Sequence, residues 1–290
     1  ASAPSAAPDD PSMEPRTVHV VSLEGHIGCG KSTQLLLLKK VYANDPSVVF
    51  VDEPVDEWNE HGFLDAMYKG TMHAGVFQLT ALLSRMTLVM RAIHAGARLI
   101  VTERCWLSDY LVFARANLDG MDLRCYAYTF AKMQRALEDL VCVDLTMLYL
   151  HCSVPTAMKR MAARARDAEA DVPVKYMNEL EVRNLIMIRA SKTNKLGWIG
   201  ENHGDVYKPL EEFCSDPNPR MAVRGFEIDC DTQPLERVHQ QILGYVESAR
   251  RAANRAAGLP ATPPASPVPP PPPAARLGPQ PCEDACVVAD

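Results

Sequence analysis

The chain has 290 residues, 47% of them hydrophobic, which is enough for one large core or two small ones. Its net charge of −6 leaves no basic footprint for nucleic acid, and no apolar run reaches the length of a membrane span. The nine cysteines are dispersed without paired spacing. They point to free thiols in a reducing, intracellular compartment, the cytoplasm before the mitochondrion or nucleus.

Residues 1–16 are rich in Ala, Pro and Ser, with Asp9 and Asp10 and no apolar core. They read as a disordered leader, neither signal nor evident transit peptide, and the absence of an initial Met suggests sequence upstream. The apolar run 18–23 has strand length, and 33–41 has a helical pattern. Between them stands Gly25-His26-Ile27-Gly28-Cys29-Gly30-Lys31-Ser32, a match to G-x-x-x-x-G-K-[ST] in strand–loop–helix order. Glycines in such a loop let backbone N–H groups turn inward around phosphate oxygens, and the helix that Thr33 continues adds its positive dipole end. Lys31 can reach the β- and γ-phosphates, and the Ser32 hydroxyl can ligate Mg²⁺. The chain is therefore expected to bind a nucleoside triphosphate.

A second short strand, 48–51, runs into Asp52-Glu53-Pro54-Val55. Pro54 ends it and leaves Glu53 at the strand's C-terminal edge, where open α/β sheets bind ligands. Residues 57–68 look helical, with Trp58, Phe63, Leu64 and Met67 as the apolar set. A longer helix covers 76–95 and stops at Gly96. Its Gln78 and Arg85 share a face, and apolar Phe77, Leu82 and Leu83 around them suggest a pocket wall. Strand 99–102 ends in Glu103-Arg104, where a P-loop enzyme places its magnesium-side carboxylate.

Helices follow over 108–117 and 125–140, then a strand over 145–150. Pro155 opens a helix carrying Arg160, Arg164 and Arg166, with Glu169 soon after; guanidinium forks suit phosphate oxygens. A helix over 173–192 precedes 193–220, a poorly patterned Gly/Pro-bearing loop or insertion with no assigned role. The last strand and helix are expected at 221–228 and 234–251. The tail includes five consecutive prolines at 269–273 and almost no large apolar residue. It reads first as a passive tail and second as a polyproline II ligand for an SH3- or WW-type partner. The expected organisation is a leader over 1–16, one domain over 17–254 with a lid at about 160–171, and a Pro-rich tail over 255–290. The alternation predicts an α/β, P-loop NTPase-type three-layer fold, a parallel sheet of about five strands covered by helices, with an Arg-bearing lid.

These residues together resemble the deoxyribonucleoside kinase family, which contains the deoxycytidine, deoxyguanosine and mitochondrial-type thymidine kinases. The resemblance covers nearly all of 17–190 and weakens toward 250. It rests on Leu23-Glu24-Gly25-His26-Ile27-Gly28, on Glu53-Pro54-Val55 with Trp58, and on Met67-Tyr68-Lys69. Phe77-Gln78, Glu103-Arg104 and Arg164-Ala165-Arg166 follow in family order, the last with Glu169, Val172-Pro173 and Lys175-Tyr176.

The resemblance implies transfer of the γ-phosphoryl of ATP, with Mg²⁺, to the 5′-hydroxyl of a deoxyribonucleoside for salvage, by a homodimer. It makes Glu53 the general base. Arg104 holds the 5′ oxygen and the phosphate, and Glu103 serves the magnesium. Tyr68 and Glu169 bind the 3′-hydroxyl; Gln78 pairs with the base edge, walled by Phe77, Phe113 and Trp58. Arg160, Arg164 and Arg166 form the lid over the ATP phosphates. Arg85 and Asp109 match charged positions of relatives that accept deoxycytidine and deoxypurines, which favours deoxyadenosine, deoxyguanosine or deoxycytidine over thymidine. The departures are His26 for a common Asn, Cys29 and Cys105 where small hydroxyl residues are common, and Ala168 in place of a second Glu. The rival readings are a thymidine-preferring kinase, a nucleoside monophosphate kinase and a non-catalytic kinase-like scaffold.

Overall fold

The computed structural model describes residues 15–164, 172–192 and 220–259. Five strands form one parallel sheet in the order β2-β3-β1-β4-β5. They are β1 (Thr17–Glu24), β2 (Val48–Val51), β3 (Leu99–Glu103), β4 (Cys142–His151) and β5 (Met221–Asp229). The register sets Leu23 beside Glu103 on one side of β1 and beside Leu148 on the other.

Parallel strands need long crossovers, so helices cover both faces and the strands are apolar on both. Alternation divides β1 between the two layers. Val18 and Val20 join the core under α4 (Ala74–His94), α7 (Gly120–Leu140) and α9 (Val174–Lys192). Val21 and Leu23 join the opposite core under α1 (Lys31–Val41), α8 (Val154–Arg164) and α10 (Leu235–Ala256). From β1 the chain passes over to β2, returns to β3, then crosses to β4 on the far side of β1. The crevice of such a sheet opens at the C-terminal ends of the strands on either side of that switch.

Several boundaries differ from the sequence expectation. The helix expected over 57–68 is two, α2 (Val55–Glu60) and α3 (Phe63–Tyr68), because Gly62 takes a left-handed φ of 70° and breaks the ladder. The segment expected as one helix over 108–117 is wound in three parts. Its ends are α5 (Trp106–Ser108) and α6 (Arg115–Asn117), and Asp109–Ala114 between them is π-helical. Such wide turns occur where function needs a side chain re-aimed. Strand β4 begins at Cys142 rather than at 145, because Asp144 hides the apolar pattern while pairing with His19 at 3.1 Å. Arg16, assigned to the leader by composition, donates to Ala97 O at 2.7 Å. Helix α4 is the one described helix with the length and hydropathy of a membrane span. Half of that stretch is buried, and it carries Arg85 into the protein, so it is a core helix here. The lid beyond Arg164, the 193–219 loop and the tail from 260 lie outside the described residues.

Candidate active site

The P-loop leads from β1 into α1. Gly25, Gly28 and Gly30 have φ of 138°, 80° and 100°. A Cβ on Gly25 would lie 2.7 Å from Cys29 Sγ, and one on Gly28 would lie 2.6 Å from Ala157 O. Both positions therefore require glycine. The Lys31 ammonium sits inside the loop, 3.0 Å from His26 O and 3.2 Å from Gly25 O. Ser32 Oγ donates to Glu103 Oε1 at 3.0 Å. His26 points away from the loop's mouth: its Nε2 is 2.7 Å from Cys152 O and its Nδ1 is 2.9 Å from Ile27 O. Burial lowers its pKa. It ties the loop to the end of β4.

Beside the loop lies a buried charge network. Arg85 from α4 donates Nε to Asp109 Oδ2 at 2.8 Å, Nη1 to Glu103 O at 2.8 Å and Nη2 to Glu53 Oε1 at 3.0 Å. Arg104 Nε donates to the same Glu53 oxygen at 3.1 Å, and its Nη1 donates to Gly25 O. The Arg104 guanidinium also lies 4.5 Å from the centre of the Phe113 ring. Burial alone would raise the Glu53 pKa, but Arg104, Arg85 and Lys31 override it and hold the carboxyl at about 2. Asp109 goes the other way: burial pushes it up to about 6, against the pull of Arg85. Glu53 Oε1 is shared by the two guanidinium groups, whereas Oε2 has no hydrogen bond among the described residues.

Arg104 is the only described non-glycine residue with positive φ, at 62°. A left-handed conformation costs such a residue about 1–2 kcal/mol, so its surroundings must hold it there. Arg104 N donates to Leu23 O at 3.0 Å, and Thr102 Oγ1 donates to Arg104 O at 3.0 Å. Cys105 N donates to Glu24 Oε1 at 2.9 Å. The Cys105 thiol sits beside Glu24 and Ser22, and burial and Glu24 raise its pKa. Yet Ser22 Oγ and Glu24 Oε2 are buried without a hydrogen bond of ordinary geometry. A hydroxyl would serve both better than a weakly polar thiol. Cys105→Ser is therefore expected to raise the urea midpoint at constant m-value, by about 1 kcal/mol of stability. An unchanged or lower midpoint would show that the oxygens are already satisfied.

A cavity of about 470 Å³ opens over these groups. Ile27, Gly28, Gly30, Lys31, Ser32, Thr33, Arg160 and Arg164 line its phosphate-loop end. Glu53, Glu103 and Arg104 form its middle. Trp58, Tyr68, Phe77, Gln78, Arg85, Asp109 and Phe113 line the other end. Trp58 and Phe77 meet edge to face at 5.5 Å, and Trp58 Nε1 donates to Ser84 Oγ at 3.1 Å. Arg160 Nη2 donates to Cys230 O at 3.0 Å.

Three residues expected at the phosphate site do not line the cavity. Gly25, His26 and Cys29 lie behind its wall, because the loop's carbonyls and His26 turn toward Lys31 and β4. Arg166 and Glu169 lie outside the described residues. Sequence reasoning assigned no role to Tyr176 on α9, which lines the cavity and accepts from Asn117 Nδ2 at 3.0 Å. Nor did it find Val55, Leu64, Met67 and Ala81, which supply apolar wall. Tyr176 follows Pro173 within the motif already quoted; the apolar residues carry no signal distinguishing wall from core.

Magnesium fits at Ser32 and Glu103. A hydroxyl and a carboxylate oxygen 3.0 Å apart beside the P-loop are hard donors of the kind that ion takes with phosphate oxygens. Among the described residues no cluster of three or more His, Cys, Asp or Glu could hold a metal unaided.

Comparison with known proteins gives a consistent picture. A family model described as deoxynucleoside kinase matches residues 21–209. The chain is similar to a fowlpox virus protein named "probable deoxycytidine kinase", at 30% identity over 68% of this chain and 78% of that protein. It is similar to mitochondrial thymidine kinase 2 of Macaca fascicularis at 27% identity, covering 60% of this chain and 66% of the relative. It is likewise similar to rat deoxycytidine kinase, at 27% identity over 63% and 81%. A solved structure of a deoxyadenosine kinase from M. mycoides superposes with a TM-score of 0.52. That likeness is 19% identical, covers 79% of this chain and 99% of the other, and concerns the fold.

Proposed function

Because the chain belongs to the deoxynucleoside kinase family and so phosphorylates a deoxyribonucleoside, we propose that ATP is its donor and Glu53 its general base. We propose deoxyadenosine, deoxyguanosine or deoxycytidine as its acceptor. The observation that carries this reading is the Glu53 carboxylate. Two arginines hold one oxygen, and the other makes no hydrogen bond among the described residues, in a residue that lines the cavity between phosphate loop and apolar end.

The steps follow from positions. The nucleoside lies with its base against Phe77, Trp58 and Phe113 and its 5′-hydroxyl toward Glu53. Gln78, whose amide makes no hydrogen bond among the described residues, and Asp109 face the base edge. The free Glu53 oxygen takes the hydroxyl proton as the oxygen attacks the γ-phosphorus, and ADP departs from the opposite side. Lys31 exchanges its loop carbonyls for phosphate oxygens. Arg104, Arg160 and Arg164 neutralise charge on the transferring group. Ser32 and Glu103 would hold magnesium, which would supply neutralisation of phosphate charge.

Base preference rests on Arg85 and Asp109, a donor and an acceptor suited to ring acceptors and an exocyclic amine. The test is kcat/KM for the four deoxynucleosides with ATP and Mg²⁺, alongside deoxynucleoside monophosphates. Turnover best on deoxypurines or deoxycytidine supports the reading. Thymidine as clear best substrate overturns the base assignment, and turnover only on monophosphates overturns the acceptor.

The pH profile adds a separate expectation. Asp109 titrates at about 6 in the folded protein, above the usual carboxylate value of about 3.9. Between those values the folded state holds the extra proton, so the Asp109 contribution to stability grows as pH falls. Function runs the opposite way, because the ionised carboxylate is the stronger acceptor for an exocyclic amine. For the best amine-bearing substrate, kcat/KM is expected to fall below pH about 6. In Asp109→Asn, whose activity is lower throughout, that limb disappears. A limb that survives the substitution assigns it to another group.

A further inference from the structure

We propose that Glu24 is a positioning residue for phosphoryl transfer, acting through the backbone turn that holds Arg104. The proposal rests on the reading that Arg104 takes part in the transfer. Glu24 is the last residue of β1, fully buried, and its carboxylate lines no part of the cavity. Its acceptor Oε1 takes the N–H of Cys105 at 2.9 Å. On the other side of the same turn, Leu23 O takes the N–H of Arg104 at 3.0 Å. Consecutive residues of β1 therefore grip consecutive peptides of the turn, and Arg104 between them has the left-handed φ of 62°.

That backbone conformation decides where the guanidinium goes. From it, Arg104 reaches the carbonyl of Gly25, the residue after Glu24, and Oε1 of Glu53 at 3.1 Å. An extended Arg104 would continue the line of β3 and aim its side chain elsewhere. A buried carboxylate whose second oxygen has no hydrogen bond of ordinary geometry among the described residues is an expensive way to satisfy a single N–H. A function in fixing that N–H accounts for its presence.

The test separates reach from charge. Glu24→Asp keeps the charge and withdraws the oxygen by one methylene. It is expected to lower kcat about tenfold or more, with nucleoside KM within about threefold. Glu24→Gln keeps an oxygen of the same reach and is expected to restore most of that loss. Arg104→Ala by itself should lower kcat by about a hundredfold or more, and adding Glu24→Asp to it should cost less than about twofold further. The reverse ranking, with Gln impaired and Asp intact, overturns the proposal. So does an undiminished effect of Glu24→Asp in the Arg104→Ala background. Full turnover by Arg104→Ala overturns the Arg104 reading itself, a result distinct from either. If Glu24→Asp does not fold, the folded Glu24→Gln enzyme decides: a tenfold fall in kcat with the Cys105 bond intact in its crystal structure overturns the proposal.

Discussion

Glu53→Gln is expected to lower kcat by about 10²–10⁴-fold while leaving nucleoside KM within about threefold. The amide keeps the shape of the carboxyl group and an oxygen for Arg85 Nη2 and Arg104 Nε. It cannot take a proton at the working pH. Binding groups elsewhere in the cavity are untouched, so the loss should appear in the chemical step. The arginines that hold Glu53 at about 2 keep it ionised throughout the accessible pH range. They also make it a weak base, which suits a loose transition state in which the proton leaves late. Steady-state kinetics with each deoxynucleoside checks this, with a thermal melt to show that the variant is folded. Retention of more than about a tenth of the parental kcat removes Glu53 from the base role.

Arg85→Leu is expected to lose about 3–5 kcal/mol of folding stability, read from urea denaturation at pH 8. Arg85 is 1% exposed, and its three donor groups satisfy Asp109, Glu53 and the Glu103 carbonyl. Leucine leaves the two carboxylates without that partner in a buried site. Arg104 still holds Glu53, so the heavier cost falls on Asp109, whose pKa burial already raises. Adding Asp109→Asn should therefore recover about 1–3 kcal/mol of the loss. The sign with pH follows. Without Arg85 the Asp109 carboxyl rises further, so the folded state takes up its proton and the deficit shrinks from pH 8 to pH 5. A loss below about 1 kcal/mol, or one equal at both pH values, would show that the network relaxes into contact with water.

The two arginines show how chemistry and stability are joined here. Glu53 is ionised and oriented because Arg85 and Arg104 converge on one of its oxygens. Each arginine in turn depends on a distant element: α4 brings Arg85, and the turn after β3 brings Arg104. Electrostatic preorganisation of this kind is bought with buried charge, and it persists only while every partner is present.

Much of this was legible in the residues. The P-loop spacing, the acids closing β2 and β3, and the alternation of strands with helices pointed to a phosphate site at the C-terminal ends of the strands of a parallel sheet. Gln78 and Arg85 were recognisable as a shared face of α4, because seven residues make nearly two helical turns. Less was legible where a side chain's direction depends on backbone conformation. His26 and Cys29 fall within the phosphate-loop pattern, yet both are buried behind it. The π-helical turn at Asp109–Ala114 has no sequence signature, since it differs from an α-turn by one residue of winding.

By itself, then, the sequence determined the fold class and, through its likeness to a known family, the family, and it offered the charged residues proposed for phosphoryl transfer. Local spacing and periodicity carry the fold class, because they depend on near neighbours along the chain. Only the tertiary structure decided which oxygen of Glu53 is held and which is free. It also decided that Arg104 adopts a left-handed backbone, and that Glu24 grips the turn beside it. Those outcomes arise between residues 32 to 81 positions apart, where the sheet register and the helix packing set the distances.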